Sequence, residues 1–191
     1  MIKIISKLIL KLSGWTISDQ TPKGIINYHK AVIIGAPHTS NWDYVYAMAA
    51  IYRVGLNIKY LAKDSLFKFP LGILIKALGG IPVNRSQKNN LVGMMVNILK
   101  DSETDIHIIV PVEGTRSYTK EWKSGFYHIA MQANVPIILG FMDFKTKTVG
   151  FMDVFVPTGD YQSDLILIQK KYVNITPKYP ELSSIKDLKL D

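Results

Sequence analysis

Cysteine is absent from this chain of 191 residues. Disulfide bonds, thiol nucleophiles and thiolate metal sites are therefore all excluded. A chain without cysteine is also compatible with a reducing compartment.

Acidic residues are scarce, since 15 aspartates and glutamates stand against 23 lysines and arginines and leave a net charge of +8. Such a surface favours anionic partners: nucleic acid, acidic lipid, phosphorylated substrates or an acidic carrier protein. The sequence lacks zinc-finger spacing, a helix-turn-helix cue and an RNP-type aromatic block. We therefore expect no nucleic-acid partner.

The first 15 residues, MIKIISKLILKLSGW, contain no apolar run long enough to cross a bilayer. Lys3, Lys7 and Lys11 form one helical stripe, and the isoleucines and leucines lie mainly on the other side. No small-residue cleavage site follows, which argues against a secretory signal. The pattern predicts an amphipathic helix over residues 1–15 on an anionic membrane surface. The alternative is a helix packed on the domain core.

Repeats, low-complexity tracts and linkers are also missing, so we expect residues 16–191 to form one domain. With 48% hydrophobic residues, a chain of this length can bury a substantial core. Strands are expected at 31–34, 56–62, 79–85, 106–110, 135–141 and 149–156, and helices at 42–53, 91–100, 125–134 and 163–173. This alternation predicts an α/β fold, a single domain with a mainly parallel mixed sheet flanked by helices.

Residues 65–78, SLFKFPLGILIKAL, form a very apolar segment that Pro70 and Gly72 interrupt. If the segment is exposed, we expect it to face lipid or an acyl chain. If it is buried, it is an ordinary core helix. The sequence leaves both alternatives open.

The HTSNWD stretch, His38 to Asp43, follows the first of these strands across a Gly-Ala-Pro turn. If Ser40 is the N-cap of the next helix, Asp43 takes the third helical position, as in a capping box, and the turn can fold His38 back toward it. A carboxylate that binds one ring nitrogen of histidine leaves the other free to take a proton from a hydroxyl. The pair is a candidate dyad for activating an alcohol. The alternative is that Asp43 merely caps the helix.

Charged residues also follow two later strands. Arg85 ends the GGIPVNR segment, and Glu113 and Arg116 lie in PVEGTRS. The carboxyl ends of parallel strands meet at one edge of a sheet, so we expect these side chains near His38. Each arginine closes a turn shaped by glycine or proline, and a guanidinium binds phosphate in a bidentate manner. The sequence therefore predicts a phosphate site beside the dyad.

Four sequence blocks, HTSNWD, GGIPVNR, VEGTRS and VPIILG, span residues 38–140. In this order and spacing they resemble the glycerolipid acyltransferase family, of the lysophosphatidate acyltransferase type. The KSGFYHIA segment between the third and fourth blocks is weakly similar as well. Four blocks in order are a far more specific signal than any one of them.

The resemblance implies catalytic roles for two residues of the first block, the HX4D motif. His38 would be the general base, and Asp43 would orient the ring and stabilise its charged form. The phosphate and glycerol part of the acceptor would be bound by Arg85, Glu113, Gly114, Thr115 and Arg116. The block from Val135 to Gly140 would be structural or line the acyl-donor side.

The resemblance further implies a direct acyl transfer without a cofactor or a metal. The donor would be acyl-CoA or an acidic acyl-carrier protein, and the acceptor a lysolipid, most commonly 1-acyl-glycerol-3-phosphate, in phospholipid biosynthesis. The enzyme is expected at the cytoplasmic face of a membrane as a peripheral protein. Backbone amides of the HTSNW turn or after Glu113 are candidate oxyanion donors.

Two positions depart from the family's pattern. Val112 stands where proline commonly precedes the glutamate, and Asn84 stands where aspartate often precedes the arginine. Neither position touches the dyad, but both could alter the acceptor pocket.

Other functions remain open at this point. One alternative is an acyltransferase that acts on a different lipid alcohol through the same dyad. Another is a membrane-binding protein without catalytic activity, for which the basic helix would be sufficient. A serine hydrolase is disfavoured because Ser40 is not in a GxSxG context. The remaining histidines share no block with a carboxylate, and we expect structural or surface positions for His29, His107 and His128.

Overall fold

The computed structural model describes residues 2–84 and 90–187. The strands in this part of the chain are β1 (Thr16–Asp19), β2 (Lys30–Ala36), β3 (Ile58–Lys63), β4 (Gly80–Val83), β5 (Ile106–Pro111), β6 (Ile137–Asp143) and β7 (Thr148–Phe155). The α-helices are α1 (Ile2–Ser13), α2 (Asn41–Val54), α3 (Leu71–Ala77), α4 (Leu91–Asp101), α5 (Gly125–Ala133) and α6 (Tyr161–Lys170). Arg85 lies outside the described residues, so its role stays a prediction.

The strands form one sheet in the order β1-β7-β6-β2-β5-β3-β4. The strands from β6 to β4 are parallel, whereas β7 runs antiparallel to β6 and β1 pairs parallel with β7. The predicted single α/β domain with a mainly parallel mixed sheet is confirmed. The sequence did not predict β1, because its four residues, TISD, contain no apolar run.

The central strand β2 is buried on both of its faces, as its apolar run predicts. Val32 and Ile34 pack into the cluster that includes residues of α4, α5 and α6. Ala31 and Ile33 pack on the other side, against α2. Because β2 pairs with β5 and β6, the turn that carries His38 leaves the sheet in the middle of its edge.

Helix α1 packs on α2 through one side, on which Ser6 and Leu10 are buried. Several of its apolar side chains point away from the domain, and the exposed fraction is 65% for Ile4, 50% for Leu8 and 84% for Leu12. The lysine stripe is exposed beside them. The helix therefore contacts the core as the alternative expected, but it leaves its apolar side free.

The apolar segment 65–78 is mostly exposed rather than a buried core helix. Phe69 is 86% exposed and Ile73 is 66% exposed, whereas Ile75 of α3 packs inward beside β4. The segment consists of a short 3-10 helix, Asp64–Phe67, followed by α3. No helix in the described part of the chain is both long and apolar enough to cross a membrane.

Helix α3 lies in the same layer as α2. Gly80 of β4 pairs with Tyr60 of β3, and a Cβ on Gly80 would meet both Ile75 of α3 and the Tyr60 hydroxyl. That hydroxyl is hydrogen-bonded to Tyr44 of α2 at 2.7 Å. Helices α1, α2 and α3 thus cover one side of the sheet, and α4, α5 and α6 cover the other.

Candidate active site

His38 and Asp43 are in contact where β2 turns into α2. The Nδ1 atom of His38 lies 3.2 Å from Oδ2 of Asp43, and the exposed fraction of the side chain is 22% for His38 but only 2% for Asp43. With Nδ1 turned to a carboxylate, the ring carries its proton there, and Nε2 is left as an acceptor. The buried carboxylate therefore orients a histidine that solvent can reach.

The Asp43 carboxylate is itself fixed by the turn. Oδ2 accepts hydrogen bonds from the backbone N–H groups of Thr39 at 2.7 Å and Ser40 at 2.8 Å, and Oδ1 accepts one from the Ser40 hydroxyl at 3.0 Å. Ser40 is the N-cap of α2 and Asp43 is the third helical residue, so the predicted capping box is present. A carboxylate held by several donors at a helix N-terminus is well placed to stabilise a neighbouring imidazolium.

Most candidate oxyanion donors of the HTSNW turn are already used. The backbone N–H groups of Thr39 and Ser40 donate to Asp43, that of His38 donates to Glu113, and that of Trp42 donates to the Ser40 hydroxyl. These amides build the turn, so they do not point at a reacting carbonyl in this conformation.

Glu113 follows β5 and lies under the His38 turn, with only 1% of its surface exposed. Its Oε2 accepts a 2.7 Å hydrogen bond from the backbone N–H of His38. Its Oε1 accepts hydrogen bonds from the Ser184 hydroxyl at 2.8 Å and from the Ser184 backbone N–H at 3.2 Å. The carboxylate thus faces the protein, whereas the resemblance implied contact with the acceptor.

Arg116 lies on the opposite, solvent-exposed side of the same loop. Its Nη1 group donates a hydrogen bond to the side chain of Asn41, the first residue of α2. Gly114 adopts a positive φ of 66°, which favours glycine, and the hydroxyl of the exposed Thr115 accepts from the Ser117 backbone N–H at 3.2 Å. The guanidinium is therefore accessible beside the helix that carries the dyad.

The residues missed by sequence reasoning are Asn41, which contacts Arg116, and Ser184 with its partner Trp122. Asn41 lies within the HTSNWD block, so the block itself was a signal for it. Ser184 lies 71 residues after Glu113 in a tail that carries no motif. No local pattern could have identified it.

Two tyrosines near the start of α2 stay uncharged at neutral pH. Burial raises the pKa of Tyr44 and of its hydrogen-bond partner Tyr60 above the usual value. They therefore add hydroxyl groups but no charge to this side of the domain. Among residues 2–84 and 90–187, no group of three or more histidine, aspartate or glutamate side chains could hold a metal ion.

The remaining histidines lie away from the dyad. His29 precedes β2, at the opposite edge of the sheet, and its Nδ1 lies 2.9 Å from Oδ1 of Asp105 in an exposed pair. His107 is buried, and its Nε2 lies 2.6 Å from the backbone carbonyl of Tyr28. The pair of His29 and Asp105 has the residue types of the dyad without its buried setting.

An apolar cavity of about 50 Å³ lies behind the His38 turn, between α2 and the sheet. Its lining includes Gly35, Ala36, Ala50 and Gly140. A Cβ at Gly35 would meet no atom within 4 Å, so the missing side chain helps to leave this space open.

Comparison with known proteins identifies the family of this chain. Residues 16–138 match the family model described as acyltransferase. The chain is 32% identical over 122 residues to an uncharacterised acyltransferase of Schizosaccharomyces pombe. The match covers 60% of this chain and 42% of that protein, so the chain spans well under half of the relative's length.

A solved structure has a similar fold. It is the crystal structure of the 1-acyl-sn-glycerophosphate acyltransferase PlsC from Thermotoga maritima, with a TM-score of 0.61 and 16% sequence identity. The superposition covers 100% of this chain and 79% of the other. At this identity the likeness concerns the fold, and it extends over all of the elements around the site.

Proposed function

The chain belongs to the acyltransferase family, and on that premise we propose that it transfers a fatty acyl group from an acyl thioester to the hydroxyl of a lysolipid. One observation carries the proposal. The accessible ring of His38 lies 3.2 Å from the buried, hydrogen-bonded carboxylate of Asp43. This is the arrangement that a general base for an alcohol needs.

In the proposed mechanism, Nε2 of His38 takes the proton of the acceptor hydroxyl as the oxygen attacks the thioester carbonyl. The C–O bond forms, and a tetrahedral intermediate carries the negative charge. The C–S bond then breaks, and the imidazolium returns the proton to the leaving thiolate. Asp43 stabilises the imidazolium between these steps, and general-base help of this kind contributes about 10²- to 10⁴-fold.

The acceptor we propose is 1-acyl-glycerol-3-phosphate or a related lysolipid with a phosphate. The exposed Arg116 guanidinium is anchored by Asn41 at the start of α2, close to the dyad. A guanidinium can bind a phosphate through two parallel hydrogen bonds. The name of the Thermotoga maritima protein points to the same class of acceptor.

The donor we propose is acyl-CoA or an acyl-carrier protein, used as a co-substrate without a further cofactor. The net charge of +8 favours either donor, because CoA is anionic and carrier proteins are acidic. An apolar cavity lies between α2 and the sheet, and its lining includes Gly35 and Ala36, which directly precede the His38 turn. We assign this side of α2 to the start of the acyl chain.

We also propose that the protein works at an anionic membrane surface, as a peripheral protein on the cytoplasmic face. The apolar side of α1 faces away from the domain, with the lysine stripe beside it. The exposed apolar segment around Phe69 and Ile73 lies in the same layer, next to the exposed Lys68 and Lys76. Both surfaces can bury apolar side chains in the membrane interface, and their lysines attract anionic lipid.

Radiolabelled acyl transfer tests the proposal. Wild-type protein is incubated with one labelled donor, either acyl-CoA or acylated carrier protein, together with one lysolipid acceptor. The acceptors are tested one at a time and include lysolipids with and without phosphate. Transfer to a phosphate-bearing lysolipid supports the proposal, and transfer to another lipid alcohol revises the acceptor. Vesicle binding by folded protein without transfer from either donor would favour a membrane-binding protein that is not an enzyme.

A further inference from the structure

The C-terminal segment 176–187 contacts the His38 turn directly at one point and through Glu113 at a second. The backbone N–H of Tyr179 donates to the Thr39 hydroxyl at 3.3 Å. Farther along, Ser184 donates to Glu113, which in turn accepts from the backbone of His38. A segment without any motif is therefore attached to the turn that positions the proposed base.

Ser184 lies at the centre of a buried hydrogen-bond chain. Its hydroxyl accepts from the Trp122 indole N–H at 2.9 Å and donates to Glu113 at 2.8 Å. Trp122 packs edge-on against the buried Tyr172, and Ile185 lies in the same apolar cluster. The core thus fixes the serine hydroxyl in place.

Glu113 depends on these contacts because it is a buried carboxylate. In the described part of the chain it accepts three hydrogen bonds, of which two come from Ser184 and one from the His38 backbone. A buried charge that loses a donor relaxes toward the donors that remain or toward water. The His38 backbone, held by the other oxygen, would move with it.

We infer that Ser184 is a positioning residue for the acyl transfer. Through Glu113, it holds the His38 turn in its productive place. This inference rests on the proposed function for its kinetic readout. It makes the C-terminal segment part of the catalytic apparatus. Displacements of about 1 Å at a reacting group can cost about a hundredfold in rate.

The chain offers a matched control in the neighbouring serine. Ser183 and Ser184 are both 1% exposed, but the Ser183 hydroxyl accepts from the Ile185 backbone N–H at 3.2 Å, and its contacts do not include Glu113. Ser183→Ala therefore disturbs the same segment without removing a donor from the carboxylate. Ser184→Thr keeps the hydroxyl and serves as the rescue variant.

The experiment compares kcat, KM, thermal stability and amide hydrogen exchange of the wild type, Ser184→Ala, Ser184→Thr and Ser183→Ala. We expect Ser184→Ala to lower kcat about ten- to a hundredfold with little change in the KM for the acyl donor. The amide of His38 should also exchange faster. Ser184→Thr should recover much of both effects, and Ser183→Ala should stay close to the wild type.

Equal losses of kcat in Ser184→Ala and Ser183→Ala, with unchanged exchange at His38, would overturn the inference. If the wild type transfers no acyl group, the proposed function fails, and the exchange of the His38 amide still decides whether Ser184 holds the turn. If Ser184→Ala does not fold, Ser184→Cys replaces it, because the thiol has a similar size and bonds weakly.

Discussion

Oδ2 of Asp43 lies 3.2 Å from Nδ1 of His38 and also accepts the backbone N–H groups of the two residues that follow the histidine. One carboxylate oxygen thus sets both the shape of the turn and the orientation of the ring. The same oxygen atom therefore stabilises the start of α2 and orients the proposed base. A change at Asp43 should therefore lower the rate of acyl transfer by more than the loss of a helix cap alone would.

Asp43→Asn removes the negative charge while keeping an oxygen that can accept from the turn. We expect kcat to fall about a hundredfold or more, because the imidazolium loses its stabilising partner. The KM values should change little. Steady-state kinetics check this, with Asp105→Asn as the matched control, because that residue pairs with His29 in an exposed contact away from the site. Similar activity in both variants would contradict the role of Asp43.

Arg116→Ala should weaken use of the acceptor far more than use of the donor. A hydrogen bond to a charged group is worth about 1.5–3 kcal/mol, which corresponds to a rise of about ten- to a hundredfold in the acceptor KM. The control is Arg53→Ala, because Arg53 is exposed in the last turn of α2, at the far end from the dyad. Equal kinetic effects on donor and acceptor would count against a phosphate site.

The lysine stripe of α1 should set the affinity for anionic membranes. Each lysine near such a surface contributes about 1 kcal/mol, so Lys7→Ala combined with Lys11→Ala should weaken vesicle partitioning about thirtyfold. Deletion of the helix is a poor test, because Leu10 is buried in the domain. Sedimentation with anionic and neutral vesicles measures the effect. The control pair, Lys100→Ala with Lys170→Ala, removes two exposed lysines on the other side of the sheet.

The environment of Asp164 should make the free energy of unfolding depend on pH. Burial raises the pKa of this carboxyl, but hydrogen bonds from Tyr127 and Thr158 outweigh burial and hold the pKa below its usual value. A group whose pKa is lower in the folded state stabilises the fold above its unfolded pKa of about 3.9 and loses that contribution as the pH falls below it. Asp164→Asn should therefore cost about 1–3 kcal/mol at pH 7.

The cost of Asp164→Asn should shrink as the pH falls below about 4, because the unfolded chain then binds a proton at this carboxyl before the folded protein does. Urea unfolding at pH 7 and at pH 3 measures the difference. Asp101→Asn, at an exposed position at the end of α4, should change stability by less than about 0.5 kcal/mol at either pH. A cost of Asp164→Asn that is the same at both pH values would refute the assignment.

The sequence predicted the central part of the fold well because buried parallel strands are continuous apolar runs, as in β2. It missed β1, whose four residues pair at the edge beside β7 and need no apolar run. The amphipathic period of α1 was correct, but periodicity does not say which side packs. Here the side with Ser6 and Leu10 packs, and the apolar side chains of Ile4, Leu8 and Leu12 stay exposed.

At the site, the contact between His38 and Asp43 followed from local capping geometry, which the sequence encodes within six residues. The setting of Glu113 did not, because it depends on Ser184 and Trp122, which only the folded chain brings together. The sequence thus placed Glu113 at the correct edge of the sheet. Which way the carboxylate faces is decided by tertiary contacts.

The central claim is that His38 is the base of an acyl transfer. The most direct test measures kcat for transfer from acyl-CoA and from acyl-carrier protein to a phosphate-bearing lysolipid in wild type, His38→Ala and His29→Ala. The account predicts a loss of about 10²- to 10⁴-fold for His38→Ala and near wild-type transfer for His29→Ala, whose histidine is exposed at the opposite edge. Transfer that continues unchanged in folded His38→Ala would contradict it.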